Sequence, residues 1–185
     1  FYALVALGYT MVYGIIKLLN FAHGDLYMIG AFIGFLFLSV LSPLIGDSWV
    51  GILCSMVLSM IAVGLLGVLI QRIAYQPMLS APRLSILITA LAVSMILSNA
   101  VMAFTDGEYL AFSTDLGYEG FEFGNVFVTY TQMVLVGAAA VLMTGLYLFV
   151  HRTMYGKAMR AIAIDQDACR LMGIHVNRII ALTFF

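Results

Sequence analysis

The chain has 185 residues, of which 64% are hydrophobic and 9% are charged, and its mean hydropathy is +1.10. Soluble domains carry charge on about one quarter of their residues. So few charges exclude a water-soluble fold of this size, because they could not cover its surface. The net charge of -1 identifies no partner, since the charges lie unevenly among the loops. The sequence begins at Phe1 without a methionine and stops at Phe185 within an apolar run, so we expect a single transmembrane domain, 1–185, truncated at both ends.

Apolar runs predict an all-α, polytopic bundle of transmembrane helices. A bilayer core about 30 Å thick is crossed by roughly 20 apolar residues in a helix. Residues 49–70 and 84–105 contain no charged residue and reach this length. Four further runs bring the prediction to about five to six spans in this chain, namely 1–16, 26–41, 131–150 and 179–185.

A polar hexapeptide, NFAHGD, separates the first two runs. Asn20, His23 and Asp25 would be costly so near the membrane unless they face protein, water or headgroups, and polar groups within membranes are functional candidates. Gly24 lets the backbone turn, and a broken helix could present backbone groups to a zwitterionic solute. Two interpretations stay open: these four residues form a substrate pathway or helix break, or they form a plain cytoplasmic connection. Metal binding is not predicted, because no second His, Cys or Glu lies at ligand spacing from His23.

Loop charges predict the orientation of the bundle, because Lys and Arg are retained on the cytoplasmic side. Residues 151–178 contain five Lys or Arg against two Asp, and Arg72 and Arg83 bracket a short loop. Residues 106–130 contain five acidic residues and no Lys or Arg. We therefore expect cytoplasmic loops at 72–83 and 151–178 and an outer acidic loop at 106–130. The aromatic and glycine content of the outer loop predicts a short hairpin or a capping element.

Small residues in the apolar runs are spaced for contact between helices. Gly30 and Gly34 lie one turn apart in the second run, and Gly64 and Gly67 punctuate the third. In lipid, close backbone approach supplies much of helix association. We therefore predict that these glycines serve packing and not a ligand.

The polar stretch 151–178 predicts a cytoplasmic helix. From Gly156 to Gly173 apolar and charged residues are arranged as in one short amphipathic helix, and Gly173 is placed to end it. Its apolar residues are Met159, Ile162, Ala163, Leu171 and Met172. Such a helix could lie in the headgroups and bind anionic lipid, or it could fit a groove on a soluble partner. The spacing alone leaves both open.

Asp167-Ala168-Cys169, followed after three intervening residues by Gly173, resembles the Glu-Ala-Ala-x3-Gly (EAA) motif in the permease subunits of ABC importers. Residues 3–32, 72–78 and 156–185 read ALVALGYTMVYGIIKLLNFAHGDLYMIGAF, RIAYQPM and GKAMRAIAIDQDACRLMGIHVNRIIALTFF. In this order they resemble the LivH-type permeases of branched-chain amino acid import, over essentially the whole chain. The resemblance implies that about the last third of such a permease lies outside this sequence.

The resemblance implies a permease subunit that translocates branched-chain amino acids (Leu, Ile, Val) across the bacterial inner membrane. In that family the EAA helix docks on the ATPase, which gives an ATPase-coupling role to Arg160, Asp167, Ala168, Cys169 and Gly173. The implied partners are a second, LivM-like permease, two ATPase subunits, a periplasmic substrate-binding protein and membrane lipid, with no nucleic acid. The sequence has no GxxxxGK[ST] phosphate loop. We therefore expect a transporter subunit with no ATPase site, catalytic residue or cofactor of its own, and with ATP and Mg²⁺ bound by the ATPase subunits.

Other classes of protein make different demands on the sequence. A secondary transporter would need ion-coupling carboxylates within its spans, and the runs 26–41, 49–70 and 84–105 contain none. A membrane-embedded enzyme would need a clustered acid, base or metal set, and the sequence shows none. A related ABC importer for urea, amides or other amino acids stays open.

Overall fold

A computed structural model describes residues 2–17, 19–45, 49–79, 81–108, 120–123 and 126–185. The described residues form eight α-helices and one antiparallel hairpin. The helices are α1 (Tyr2–Ile16), α2 (His23–Ile45), α3 (Trp49–Ile70), α4 (Arg83–Thr105), α5 (Tyr130–Arg152), α6 (Met154–Ile164), α7 (Gln166–Leu171) and α8 (Val176–Phe184). A π-helical turn, Gln71–Tyr75, and a 3-10 turn, Gln76–Met78, lead from α3 toward α4.

Four of these helices are long and apolar enough to cross a membrane. The qualifying segments are His23–Pro43, Val50–Met78, Leu84–Thr105 and Gln132–Arg152. The predicted fold class, a polytopic bundle of transmembrane helices, is confirmed, and the chain is a multi-pass membrane protein. The prediction of five to six spans also counted the runs 1–16 and 179–185. These runs form the shorter helices α1, of 15 residues, and α8, of 9 residues.

Glycines bring neighbouring helices into close contact, as predicted. On α2, a Cβ at Gly30 would stand 3.5 Å from Val63 Cγ2, and one at Gly34 would stand 3.7 Å from Ser59 Oγ, both on α3. Helix α3 also contacts α8: a Cβ at Gly67 would meet the Phe184 backbone, and one at Gly64 would meet Phe185, both below 3.0 Å. Helix α3 therefore packs against both α2 and α8.

The ends of α1, α3 and α5 and the start of α4 meet at one end of the bundle, together with α6, α7 and α8. We call this the basic end, because it carries the basic loops 72–83 and 151–178. A buried apolar cluster, the basic-end cluster, joins α1 to α6, α7 and α8 there. Its members are Val12, Ile15, Ile16, Met159, Ile162, Cys169, Val176, Ile179 and Ile180.

The acidic segment 106–130 contains the predicted hairpin. Strand β1 (Gly120–Phe123) pairs with β2 (Val126–Thr129), and Gly120 lies opposite Thr129. Thr129 also begins α5 through a capping box with Gln132, in which each residue satisfies a free backbone N–H of the other. The hairpin is therefore joined directly to the start of α5. The predictions for residues 109–119, 124 and 125 lie outside the described residues.

Candidate functional site

The chain turns sharply between α5 and α6. Thr153, with φ -94° and ψ 160°, is the N-cap of α6, and its hydroxyl oxygen accepts a hydrogen bond from the Gly156 N–H at 3.0 Å. The same hydroxyl donates to the Phe149 carbonyl at 2.6 Å. Gly156 is buried so closely against α5 that a Cβ would overlap the Val150 carbonyl oxygen. This corner directs α6 onto α1, where Met159 is fully buried in the basic-end cluster.

The helix predicted from Gly156 to Gly173 is two helices, so that prediction is wrong. Helix α6 ends at Ile164, and Asp165 is extended, with φ -149° and ψ 111°. The Asp165 carboxylate accepts from the N–H groups of Asp167 at 2.9 Å and Ala168 at 3.0 Å, and so caps α7. Aspartate is among the strongest N-cap residues. The apolar pattern continues across this break and so does not reveal it.

Gly173 ends α7, as predicted. Its φ is +80°, in the left-handed region that glycine adopts without penalty. The Gly173 N–H donates to the Arg170 carbonyl at 3.1 Å, and the Ile174 N–H donates to the Cys169 carbonyl at 3.0 Å. These two bonds form a Schellman motif. A Cβ at Gly173 would meet no atom within 4 Å, so the backbone angle, and not lack of space, requires glycine here.

The predicted ATPase-coupling residues do not share one surface. Arg160, Asp167, Ala168 and Gly173 are exposed, whereas Cys169 is 6% exposed and belongs to the basic-end cluster. Asp167 accepts from Arg170 Nη1 at 3.3 Å, and an exposed pair of this kind adds little stability. Cys169 therefore anchors α7 to the bundle, while the other residues face outward.

The predicted apolar face of this region is also divided. Met159 and Ile162 on α6 are buried, but Leu171 and Met172 are 89% and 83% exposed, and Ile164 is 85% exposed. Exposed apolar side chains that lie together mark binding surfaces for protein or membrane. The apolar side chains of α6 thus pack inward, whereas those of α7 face outward. A single amphipathic helix would present all of them on one face.

The chain reverses direction between α1 and α2. Helix α1 ends at Ile16, and Lys17 adopts a left-handed φ of +57°. His23, the first residue of α2, lies back against α1. Its ring atoms are 2.7 Å from where a Cβ of Gly8 would stand, and its ring meets that of Tyr9 edge-on, with 5.4 Å between centroids. Gly8 lies about two turns before the end of α1. The chain therefore runs back along α1 before α2 begins.

Two residues of the segment between these helices are buried, whereas Leu19 and Phe21 are 44% and 40% exposed. Asn20 and Ala22 are 5% and 0% exposed. The Asn20 Oδ1 accepts a hydrogen bond from the Tyr75 hydroxyl at 2.7 Å. The Tyr75 ring lies 5.4 Å from that of Phe184 on α8 and packs with Ile86 on α4. One hydrogen bond therefore links the helix break to α3, α4 and α8.

We predict that Tyr75→Phe destabilises the full-length permease. The change keeps the ring contact with Phe184 but leaves the buried Asn20 oxygen without its donor, at a cost of about 1–3 kcal/mol. The expected result is a lower Tm of the purified permease in detergent. Tyr147→Phe is the matched control, because Tyr147 is 61% exposed and its stacking on His151 needs only the ring. Equal Tm values for the two variants would contradict the role of the hydroxyl.

Asp25 stands in the first turn of α2 and reaches the middle of α4. Its Oδ2 accepts from Ser94 Oγ at 2.5 Å and its Oδ1 from Ser98 Oγ at 2.6 Å. Ser94 is equidistant from Arg83 and Thr105, the ends of α4, roughly 16 Å from either. The prediction that the spans contain no carboxylate took residue 26 as the start of the second span. The observed helix begins at His23, so Asp25 lies within it and that prediction is corrected.

Several residues of this region were not identified as functional candidates from the sequence. Gln71, in the π-helical turn, is 0% exposed, and its side-chain oxygen and nitrogen have no hydrogen-bond partner among the described residues. Tyr75 and Gly8 gain their roles only through partners distant in the sequence. Ser94 and Ser98 could have been noticed, since two hydroxyls at i and i+4 form a polar stripe on an otherwise apolar span. Across the described part of the chain, no three His, Cys, Asp or Glu side chains gather as a metal site.

Comparison with known proteins gives matches over nearly the whole of this chain. The family described as "Branched-chain amino acid transport system / permease component" matches residues 1–185. The chain is 42% identical over 189 residues to the high-affinity branched-chain amino acid transport system permease protein BraD of Pseudomonas aeruginosa. It is 35% identical over 195 residues to LivH of Salmonella typhimurium and 35% over 189 residues to LivH of Escherichia coli, proteins of the same description. Each alignment covers 99% of this chain and 61% of the relative. No solved structure matches significantly.

Proposed function

Since the chain belongs to the branched-chain amino acid transport permease family, we propose that it is a membrane-spanning subunit of an ABC importer for Leu, Ile and Val. The names of the BraD and LivH relatives support this substrate class. The chain spans 61% of the length of these relatives. Its membrane is the bacterial inner membrane.

We propose that the energy for transport comes from other subunits of the transporter. The sequence has no GxxxxGK[ST] loop, the backbone cradle with which P-loop ATPases hold phosphate. Two separate ATPase subunits bind ATP and Mg²⁺ and dock on the basic end. A second, LivM-like permease completes the membrane part, and a periplasmic substrate-binding protein delivers the amino acid at the opposite end.

The observation that carries this proposal is the division of α7 into an anchored and an outward side. Cys169 is buried in the basic-end cluster, whereas Asp167, Ala168 and Leu171 are exposed. A partner that binds the outward side therefore pushes on a helix that is packed against α6 and α8, both of which contact α1. Because packed interfaces transmit displacement instead of absorbing it, closure of the ATPases would move both helices.

We propose that the moving helices act on the substrate pathway at Asn20, His23, Gly24 and Asp25. The end of α1 leads directly into this segment, and Phe184 of α8 contacts Tyr75, whose hydroxyl binds Asn20. The segment is thus reached from α7 along two packed routes. Polar groups placed inside a bundle at a helix break can take part in solute binding, and their position here supports that role.

The Gly173 position tests the coupling. Gly173→Val should reduce ATP-driven leucine uptake to background, because a β-branched residue resists the φ of +80° and the end of α7 would unwind. Membrane insertion should be unaffected, since Gly173 is exposed and outside the spans. Uptake is measured in proteoliposomes that contain the full-length permease and its partner subunits.

Gly173→Asn is the matched control for this substitution. Asparagine tolerates the left-handed conformation better than other non-glycine residues, so this variant should keep most of the uptake while adding a side chain at the same place. Normal uptake by Gly173→Val would contradict the coupling role of α7. Equal loss in both variants would show that the surface at 173, and not the backbone turn, matters.

A further inference from the structure

Asp25 is the single charged residue inside the apolar parts of the candidate spans. Residues 23–43, 50–70, 84–105 and 132–150 contain no other Asp or Glu and no Lys or Arg. An ionised side chain at this depth is expensive and marks a functional position in membrane proteins. The cost demands a partner that compensates the negative charge.

The described residues supply hydroxyls to this carboxylate but no cation. Ser94 and Ser98 each donate to one carboxylate oxygen, at 2.5 and 2.6 Å. The described part of the chain offers Asp25 no Lys, Arg or His nitrogen within ion-pair distance. The nearby His23 ring is directed at Gly8 and Tyr9 of α1. The carboxylate is therefore positioned, but no cation among the described residues balances its charge.

The hydrogen-bonding capacity of this carboxylate is only partly used. Each carboxylate oxygen can accept about two hydrogen bonds, so one position on each oxygen remains after the serine bonds. Asp25 is half-buried, and a Cβ at the neighbouring Gly24 would meet no atom within 4 Å. Among the described residues, this turn of α2 is therefore only partly covered.

We propose that Asp25, positioned by Ser94 and Ser98, is a specificity-determining residue that binds the ammonium group of the amino acid in passage. This inference rests on the proposed function, because it takes the solute to be an α-amino acid. An ammonium group carries the missing positive charge and three donors, and its hydrogen bonds to a carboxylate are about twice as strong as neutral ones. The charge of Asp25 is then balanced when the solute is present.

The test measures ATP-driven leucine uptake by the full-length permease with its partner subunits in proteoliposomes. Asp25→Asn keeps the shape and one acceptor for a serine but removes the charge, and we expect uptake to fall by about tenfold or more, in line with the loss of a hydrogen bond to a charged group. Asp25→Glu keeps the charge and should retain part of the uptake. Glu108→Gln, an exposed acid beyond the end of α4, is the matched control and should transport normally.

A structural role of Asp25 predicts a different pattern. If the carboxylate only anchors α2 to α4, the double variant Ser94→Ala and Ser98→Ala should lose as much uptake as Asp25→Asn, and both should lower the Tm equally. We expect instead a smaller loss from the serine variant, because the charge remains. Equal losses, or normal uptake by Asp25→Asn, would overturn the inference.

Ligand protection of the purified complex supplies a second readout. Leucine should raise the Tm of the wild-type complex more than 4-methylpentanoate, which has the same side chain and carboxylate but no ammonium, and Asp25→Asn should abolish the difference. A difference that persists in Asp25→Asn would also overturn the inference. Failure of the wild-type complex to take up leucine with ATP would instead refute the proposed function, so the two failures are distinguishable.

Discussion

Gly156→Ala is expected to prevent correct folding of the basic end. A Cβ at this position would overlap the Val150 carbonyl oxygen and stand 2.6 Å from the Phe149 carbonyl oxygen. These atoms belong to the backbone of α5, so no side-chain rotation relieves the clash. We expect a loss of about 3 kcal/mol or more, at the upper end for an overpacked site. The measurement is the yield of monodisperse full-length permease after solubilisation, together with its Tm.

The effect should extend beyond the corner itself. A shifted α6 would withdraw Met159 and Ile162 from the basic-end cluster, which also holds α1, α7 and α8 in place. Gly14→Ala is the matched control: it makes the same change in α1, where a Cβ would meet no atom within 4 Å, and alanine favours helix over glycine. A Gly156→Ala permease as stable as the Gly14→Ala permease would contradict the geometry of the corner.

The parts of the fold that depend on one segment alone could be predicted from the sequence. The runs 49–70 and 84–105 became α3 and α4 with almost the same bounds, because length and hydropathy decide a span without reference to neighbours. Gly173 was also predictable, since a glycine after a helical pattern has one common role. Local composition predicted either a hairpin or a capping element within 106–130, and the structure has a hairpin there.

The parts that depend on contacts between distant segments could not be predicted. The apolar pattern of 156–173 is continuous, yet Asp165 divides it, because its carboxylate caps a new helix. Leu171 and Met159 look equivalent in a periodic pattern, but only Met159 finds α1 to pack against. The contact of Asp25 with α4 followed from the reversal of the chain along α1, which no property of NFAHGD specifies. The candidate site was thus located by its polar residues, whereas its partners Tyr75, Ser94 and Ser98 required the structure.

Gly67→Leu is expected to displace α8 and abolish transport. A Cβ at Gly67 would stand 2.5 Å from the Phe184 carbonyl oxygen, and Gly64 one turn earlier meets Phe185 in the same way. The clash is with backbone, so α8 as a whole must move away from α3. The movement would separate the Phe184 ring from Tyr75, which holds Asn20 in the helix break.

Two measurements on the full-length permease separate this effect from a general loss of stability. We expect Gly67→Leu to lower the Tm by more than Tyr75→Phe, and to reduce leucine uptake to background even at temperatures where the permease stays folded. Gly145→Leu on α5 is the matched control, because a Cβ there would meet no atom within 4 Å of this chain. Uptake by Gly67→Leu equal to that of the control would contradict the proposal that α8 transmits motion to the break. A folded but inactive Gly67→Leu permease would place that transmission at the contact of α8 with α3, since nothing in the outward side of α7 has been changed.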